Sequence, residues 1–117
     1  MHEIGIAAAI IEAGQAEAAR LPGSKLLRIG VRIGVLSGVD NNALEFALRA
    51  IVAGTDLDLL KFEIENCQRR NRCRKCSHEF DSSLYEHSCP LCASQDTLFV
   101  AGDELELAYV EVEEYDS

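Results

Sequence analysis

The sequence predicts an α+β protein: two helices on a three-stranded sheet, with a small module closed by four cysteines inserted ahead of the last strand. Three observations predict it. Apolar residues recur at helical spacing in two segments of the N-terminal half. They alternate with period two in three others, at 27–35, 60–64 and 104–114. Between the last two of these lie Cys73-Arg74-Lys75-Cys76 and, after twelve residues, Cys89-Pro90-Leu91-Cys92.

The first helix occupies Met1 to Arg20, with Ile4, Ala8, Ile11 and Ala18 on one face of an alanine-rich segment. Leu21-Pro22-Gly23-Ser24 stops it, since proline cannot continue a helix and glycine tolerates a left-handed exit. Leu27, Ile29, Val31, Ile33 and Val35 then alternate with Arg28, Gly30, Arg32 and Gly34, which describes a half-buried strand. Asp40 is placed to cap a second helix carrying Leu44, Ala47, Leu48 and Ile51. Leu60, Phe62 and Ile64 mark the second strand. In the third, Leu105 and Leu107 are out of phase with Val110 and Val112, so a β-bulge near Ala108-Tyr109 is needed to give one buried face. The expected organisation is one α/β domain over residues 1–66 and 103–117, and a cysteine module over 67–102.

Two Cys-x-x-Cys turns facing each other supply four soft ligands in the tetrahedral arrangement of a closed Zn²⁺ site, so the module reads as a zinc ribbon. Four thiolates around Zn²⁺ leave a formal surplus of two negative charges, and Arg72, Arg74 and Lys75 stand beside the first pair to balance it. His78 and His87 flank the pairs, but four cysteines already fill a tetrahedron, and hydrogen bonding is their expected role. Ser77 and Ala93 follow the second cysteine of each pair, where such turns often carry glycine. A left-handed backbone there costs a non-glycine residue about 1–2 kcal/mol.

The fifth cysteine, Cys67, has no neighbouring base and is expected to be a small half-buried residue rather than a nucleophile. No apolar run reaches the roughly 18 residues of a membrane span, and no signal peptide opens the chain, so a cytoplasmic protein with reduced cysteines is expected. A net charge of −9 opposes phosphate binding. A zinc-ribbon module for nucleic acid or a transcription complex is therefore the alternative reading, supported by the local cluster Arg69, Arg70, Arg72, Arg74 and Lys75 alone. A Cys-x-x-Cys thiol oxidoreductase is a third, disfavoured by the two matched pairs. No catalytic triad, phosphate-cradling loop or paired-carboxylate cleft is present in the sequence pattern, and no enzyme activity is expected.

The chain opens Met1-His2-Glu3. An α-amine, the amide nitrogen of His2 and its imidazole can close fused chelate rings on one cation, and such nitrogen donors suit Ni²⁺ or Cu²⁺. The Glu3 carboxylate or amide offers a further donor. A histidine at position two of a helix is otherwise a solvated side chain.

Taken together, Met1-His2-Glu3 heading a helix, Ser37-Gly38-Val39-Asp40 before the second, the pairs Cys73/Cys76 and Cys89/Cys92, and Gly102-Asp103-Glu104-Leu105 leading to Val110-Glu111-Val112 resemble the HypA/HybF family across essentially the whole chain. These are nickel metallochaperones of [NiFe]-hydrogenase maturation. The resemblance implies a nickel site centred on His2, with Glu3 and the Met1 α-amine beside it, and structural zinc in the four cysteines. It also implies work with a nickel-binding maturation GTPase, delivery to the hydrogenase large-subunit precursor and, in some organisms, service to urease maturation.

Overall fold

The computed structural model describes residues 3–83 and 85–114. Two helices and six strands follow in the order α1 (Glu3–Ala18), β1 (Lys25–Gly34), α2 (Asn41–Val52), β2 (Lys61–Cys67), β3 (Arg69–Cys73), β4 (Glu79–Ser82), β5 (Thr97–Ala101) and β6 (Leu105–Glu113). Contacts group the chain into two units, one of residues 1–32, 39–65 and 106–117, the other of 33–38 and 66–105. Residues 33–38 join the second unit because Val35 N–H donates to the Cys67 carbonyl, and Leu36 N–H to that of Gly102.

In the first unit, β1 is the centre of a three-stranded sheet in the order β2-β1-β6. Arg28 meets Glu63 and Arg32 meets Glu65, so β1 and β2 advance together, the parallel sense that needs a crossover such as α2. Arg32 also meets Glu106, and Arg28 meets Glu111, so β6 runs antiparallel to β1. Exposed pairs of this kind contribute about 0.2–1 kcal/mol each. Their main consequence is to mark register on the open face of the sheet.

That register locates the expected bulge. Gly30 lies under the Tyr109 ring, which puts Tyr109 on the same face as Glu106 and Glu111. From Arg32 to Gly30 is two residues; from Glu106 to Tyr109 is three. One extra residue therefore sits in β6 at Leu107–Ala108, where two consecutive residues are half-buried, and it turns Val110 toward Gly14 of α1. Leu105, expected to be buried, is exposed.

The helices pack against each other, and their apolar residues Ile6, Ala7, Ile10, Ile11, Leu44, Leu48 and Val52 form a core with Ile29, Val31 and Leu60. In α2, Ile51 is only half-buried and Val52 takes the last core position. Asp40 caps this helix as expected, its Oδ1 accepting the Ala43 N–H at 3.0 Å. In α1 the expected stripe is corrected in part: Ile11 is buried as expected and Ala18 half-buried, but Ile4 is 62% exposed and Ala8 is exposed, while Ile6, Ile10 and Gly14 are buried. Alanine on every side removes the polar contrast that defines a face, and the buried side is the one on which three isoleucines, Ile6, Ile10 and Ile11, fall together.

The cysteine module contains a second sheet, in the order β4-β3-β5, which the sequence pattern left undivided. Its centre is Asn71, fully buried and satisfied: its Nδ2 donates to Ser82 Oγ at 2.8 Å and its Oδ1 accepts from Arg69 Nε at 2.6 Å. Among the described residues, no helix is long and apolar enough to cross a membrane.

Candidate metal centre

Each cysteine pair sits on a turn of the same construction. In the first, Ser77 N–H donates to the Cys73 carbonyl and Cys73 N–H to that of His78. In the second, Ala93 N–H donates to Cys89 and Cys89 N–H to Ser94, all at 2.8–2.9 Å. Closing these turns forces Ser77 and Ala93 to φ of 64° and 61°, the left-handed conformation expected where glycine is missing. Replacing exposed Ala93 with glycine should relieve about 1–2 kcal/mol of strain, offset by about 0.4–1 kcal/mol of unfolded-chain entropy. A net gain of roughly 0.5 kcal/mol in metal-loaded protein is expected from denaturant titration, and a loss would show that the turn carries no strain there.

The turns bring Cys73, Cys76, Cys89 and Cys92 together, with all four sulfurs within 4.8 Å of one another. Cys73 Sγ lies 3.5 Å from Cys92 Sγ, and Cys76 Sγ 3.6 Å from Cys89 Sγ. A tetrahedron with Zn–S bonds of about 2.3 Å has edges of about 3.8 Å, so the donor set fits Zn²⁺. Cys73 and Cys89 are buried, and Cys76 and Cys92 exposed. The cluster is thus anchored from inside and reachable from outside.

Its electrostatics ask for a cation. The Cys76 amide, with that of Lys75, points at the Cys73 sulfur and lowers this thiol to about 6. At Cys76 the His78 amide pulls in the same direction, but desolvation of the inward-facing sulfur and the adjoining sulfurs outweigh it and push the thiol up to about 12. Cys92 is also raised: the Ser94 amide lowers it, while the facing Cys73 sulfur and burial do more. One thiolate is readily held and further ones are opposed, so a divalent cation is what allows all four to ionise.

The arginines expected to balance the thiolates are engaged elsewhere. Arg72 pairs with Glu79 at 2.9 Å, Arg74 with Asp96 at 3.3 Å, and Arg70 with Asp81 at 2.9 Å. The backbone amides of Lys75, Cys76, His78 and Ser94 point at the sulfurs, a signal that composition cannot reveal. The same pairing neutralises Arg70, Arg72 and Arg74, three of the five cations in the basic cluster behind the nucleic-acid reading. Neither histidine joins the sulfurs: His87 Nδ1 lies 3.0 Å from Thr97 Oγ1, and His78 stacks on Phe80 with ring centroids 6.0 Å apart. Cys67 is half-buried at the end of β2.

This architecture has counterparts. A family model for hydrogenase/urease nickel incorporation, the metallochaperone HypA, matches residues 1–112. The chain belongs to the HypA family. The hydrogenase maturation factor HypA of Geotalea uraniireducens is 35% identical over 97% of this chain and 100% of its own length. That of Picosynechococcus sp. is 33% identical over 96% and 99%. The solution structure of the Ni metallochaperone HypA from Helicobacter pylori shares the fold, with a TM-score of 0.66 and 22% identity over 98% of this chain and 100% of that one. HypA proteins are metallochaperones rather than enzymes. Of the residues read as a second metal site, Glu3 is half-buried at the first position of α1, and Met1 and His2 lie outside the described residues.

Proposed function

We propose that this HypA-family chain is a cytoplasmic nickel metallochaperone. It carries Ni²⁺ on Met1, His2 and Glu3 and holds Zn²⁺ structurally on Cys73, Cys76, Cys89 and Cys92. What supports the reading is the opening sequence Met1-His2-Glu3, in a chain matched from residue 1 by a nickel-incorporation family, with Glu3 as the first residue of α1. The first amides of a helix have no intrahelical acceptor, so an amide nitrogen given to a metal breaks no helical hydrogen bond. The helix N-terminus disfavours a cation by about 0.3–1 kcal/mol, a small cost beside chelation and compatible with release. The cargo passes to the [NiFe]-hydrogenase large-subunit precursor with a nickel-binding maturation GTPase, and the urease branch of the family description admits urease maturation proteins as further partners.

His2→Ala, or a peptide extension ahead of Met1, is expected to abolish tight nickel binding while zinc content and fold stay unchanged. Nickel should also leave on acidification. A reference imidazole titrates at about 6.5 and an α-amine at about 7.7–8.0, and metal binding requires both without their protons. Affinity therefore falls as pH drops through this range. If calorimetric nickel titration finds His2→Ala as tight as the parent, the N-terminal site is wrong.

A further inference from the structure

At the pole of the first unit where α1 ends and β1 begins, the turn 54–60 and the start of β1 enclose a cleft of about 410 Å³. A second cleft of about 250 Å³ lies against α1's last turn, and Leu26 and Leu57 line both, so the two are neighbouring parts of one leucine-lined surface groove. Leu59 stands on its rim with 82% of its surface exposed. The turn that presents it is firmly held: Thr55 Oγ1 donates to the Val52 carbonyl at 2.6 Å and accepts from Leu57 N–H, Gly54 N–H donates to Asp58 Oδ1, and Leu60 N–H donates to the Leu57 carbonyl. An exposed leucine on a fixed turn needs no ordering before it binds, which removes one of the main costs of association.

We infer that this groove docks a partner protein's amphipathic segment that carries leucine-like side chains flanked by lysine or arginine. The apolar part follows from the leucine lining. The cationic part follows from charge: Asp56 and Asp58 flank Leu57 on the groove wall, Asp56 has no ion-pair partner among the described residues, and the chain as a whole carries −9. Lys25 is the one cation lining the larger cleft. Long-range attraction thus favours a basic segment, and the leucine contacts hold it. The position has a functional consequence. Ala18, at the C-terminal end of α1, lines the groove, and Glu3 begins the same 16-residue helix, about 22 Å away along its axis. The docked segment itself contacts the end of α1 opposite Glu3.

The test uses zinc-loaded, nickel-free full-length protein, so its outcome is independent of the nickel assignment. The probe is a capped 14-residue helical peptide of leucine on one face and lysine on the other, with leucine-to-serine and lysine-to-glutamate versions as comparators. Amide shifts should concentrate at Leu26, Leu57 and Leu59, and both comparators should lose binding. Leu59→Ser, a substitution of an exposed side chain, should weaken binding at least tenfold, and Asp56→Lys should weaken it as well. Shifts spread over Glu63, Glu65 and Glu111 with Leu59→Ser binding normally would overturn the proposal in favour of diffuse charge attraction. Absence of binding at millimolar peptide would also overturn it, as would self-association of the free protein that Leu59→Ser removes, which would make a second copy the occupant.

Discussion

Cys89→Ser is expected to lose the zinc and, with it, the fold of the 66–105 unit. Its described apolar cluster consists of Cys73, Phe80 and Cys89, so two of three members are also donors to the proposed metal. Such a core cannot offset the ordering of some 40 residues at about 1–2 kcal/mol each. Structural zinc supplies about 10–16 kcal/mol in small metal-dependent domains, and that is the contribution a lost ligand removes. Amide protection in β3, β4 and β5 should disappear, while the helical circular dichroism of α1 and α2, which belong to the first unit, should persist. One zinc per chain with protected β3 amides in Cys89→Ser would show that three sulfurs suffice.

Protons give the same result a direction. Cys76, pushed up to about 12, is a thiol at neutral pH without metal, and Cys92 is raised in the same sense. Zinc uptake at pH 7 must therefore release protons, measurable in a weakly buffered titration. Cys73, lowered to about 6, lies below its ordinary value and so gives up its proton to the metal most readily of the three shifted thiols. Protons compete for all the sulfurs as pH falls. Zinc should accordingly become easier to remove by chelator as the solution is acidified.

The helices, the sheet of the first unit and the cysteine cluster were legible because each has a period or spacing with a single physical meaning. Alternation from Leu27 to Val35 demanded one buried face, which is present at Ile29, Val31 and Ile33 while Leu27 is half-buried and Val35 exposed; Asp40 ahead of Leu44 demanded a cap, and it is present. The phase slip in β6 was legible too, since only an extra residue reconciles Leu107 with Val110. The buried side of α1 was not, because a helix with alanine all round names no face. Nor were β3, β4 and β5: Arg69 to Cys73 contains no apolar alternation, and its inward residues are Asn71 and a metal ligand. A strand that buries a hydrogen-bonded asparagine and a sulfur gives no hydrophobic signal. The partners of Arg70, Arg72 and Arg74 were hidden for a different reason, since cross-strand pairing with Glu79, Asp81 and Asp96 depends on a register no local pattern fixes.

Gly34→Ala is expected to destabilise the protein severely. Gly34 ends β1, where residues 33–38 run directly against 102–104: its N–H donates to the Glu104 carbonyl at 2.7 Å, and Leu36 N–H donates to the Gly102 carbonyl at 2.7 Å. A Cβ on Gly34 would lie 2.1 Å from the Gly102 oxygen, 2.3 Å from its carbonyl carbon and 2.7 Å from the Asp103 nitrogen. All three are backbone atoms, so no side chain can rotate aside. The opposing strand has no room to retreat either, because Gly102 holds φ at 134° and its own α-carbon approaches Arg69, leaving 2.9 Å for any substituent. Overpacking in a tight interior costs about 1–3 kcal/mol when side chains can adjust. Here two short hydrogen bonds, each contributing about 1 kcal/mol, must also stretch. A total near 4 kcal/mol should lower the thermal midpoint by about 15–30 °C in a chain of this size. Gly23→Ala is the internal control: its left-handed φ of 83° carries strain, but its Cβ would meet nothing within 4 Å, so a loss of only about 1–2 kcal/mol is expected. If scanning calorimetry finds Gly34→Ala no less stable than Gly23→Ala, the close approach of β1 to the 102–104 segment is not a feature of the folded protein.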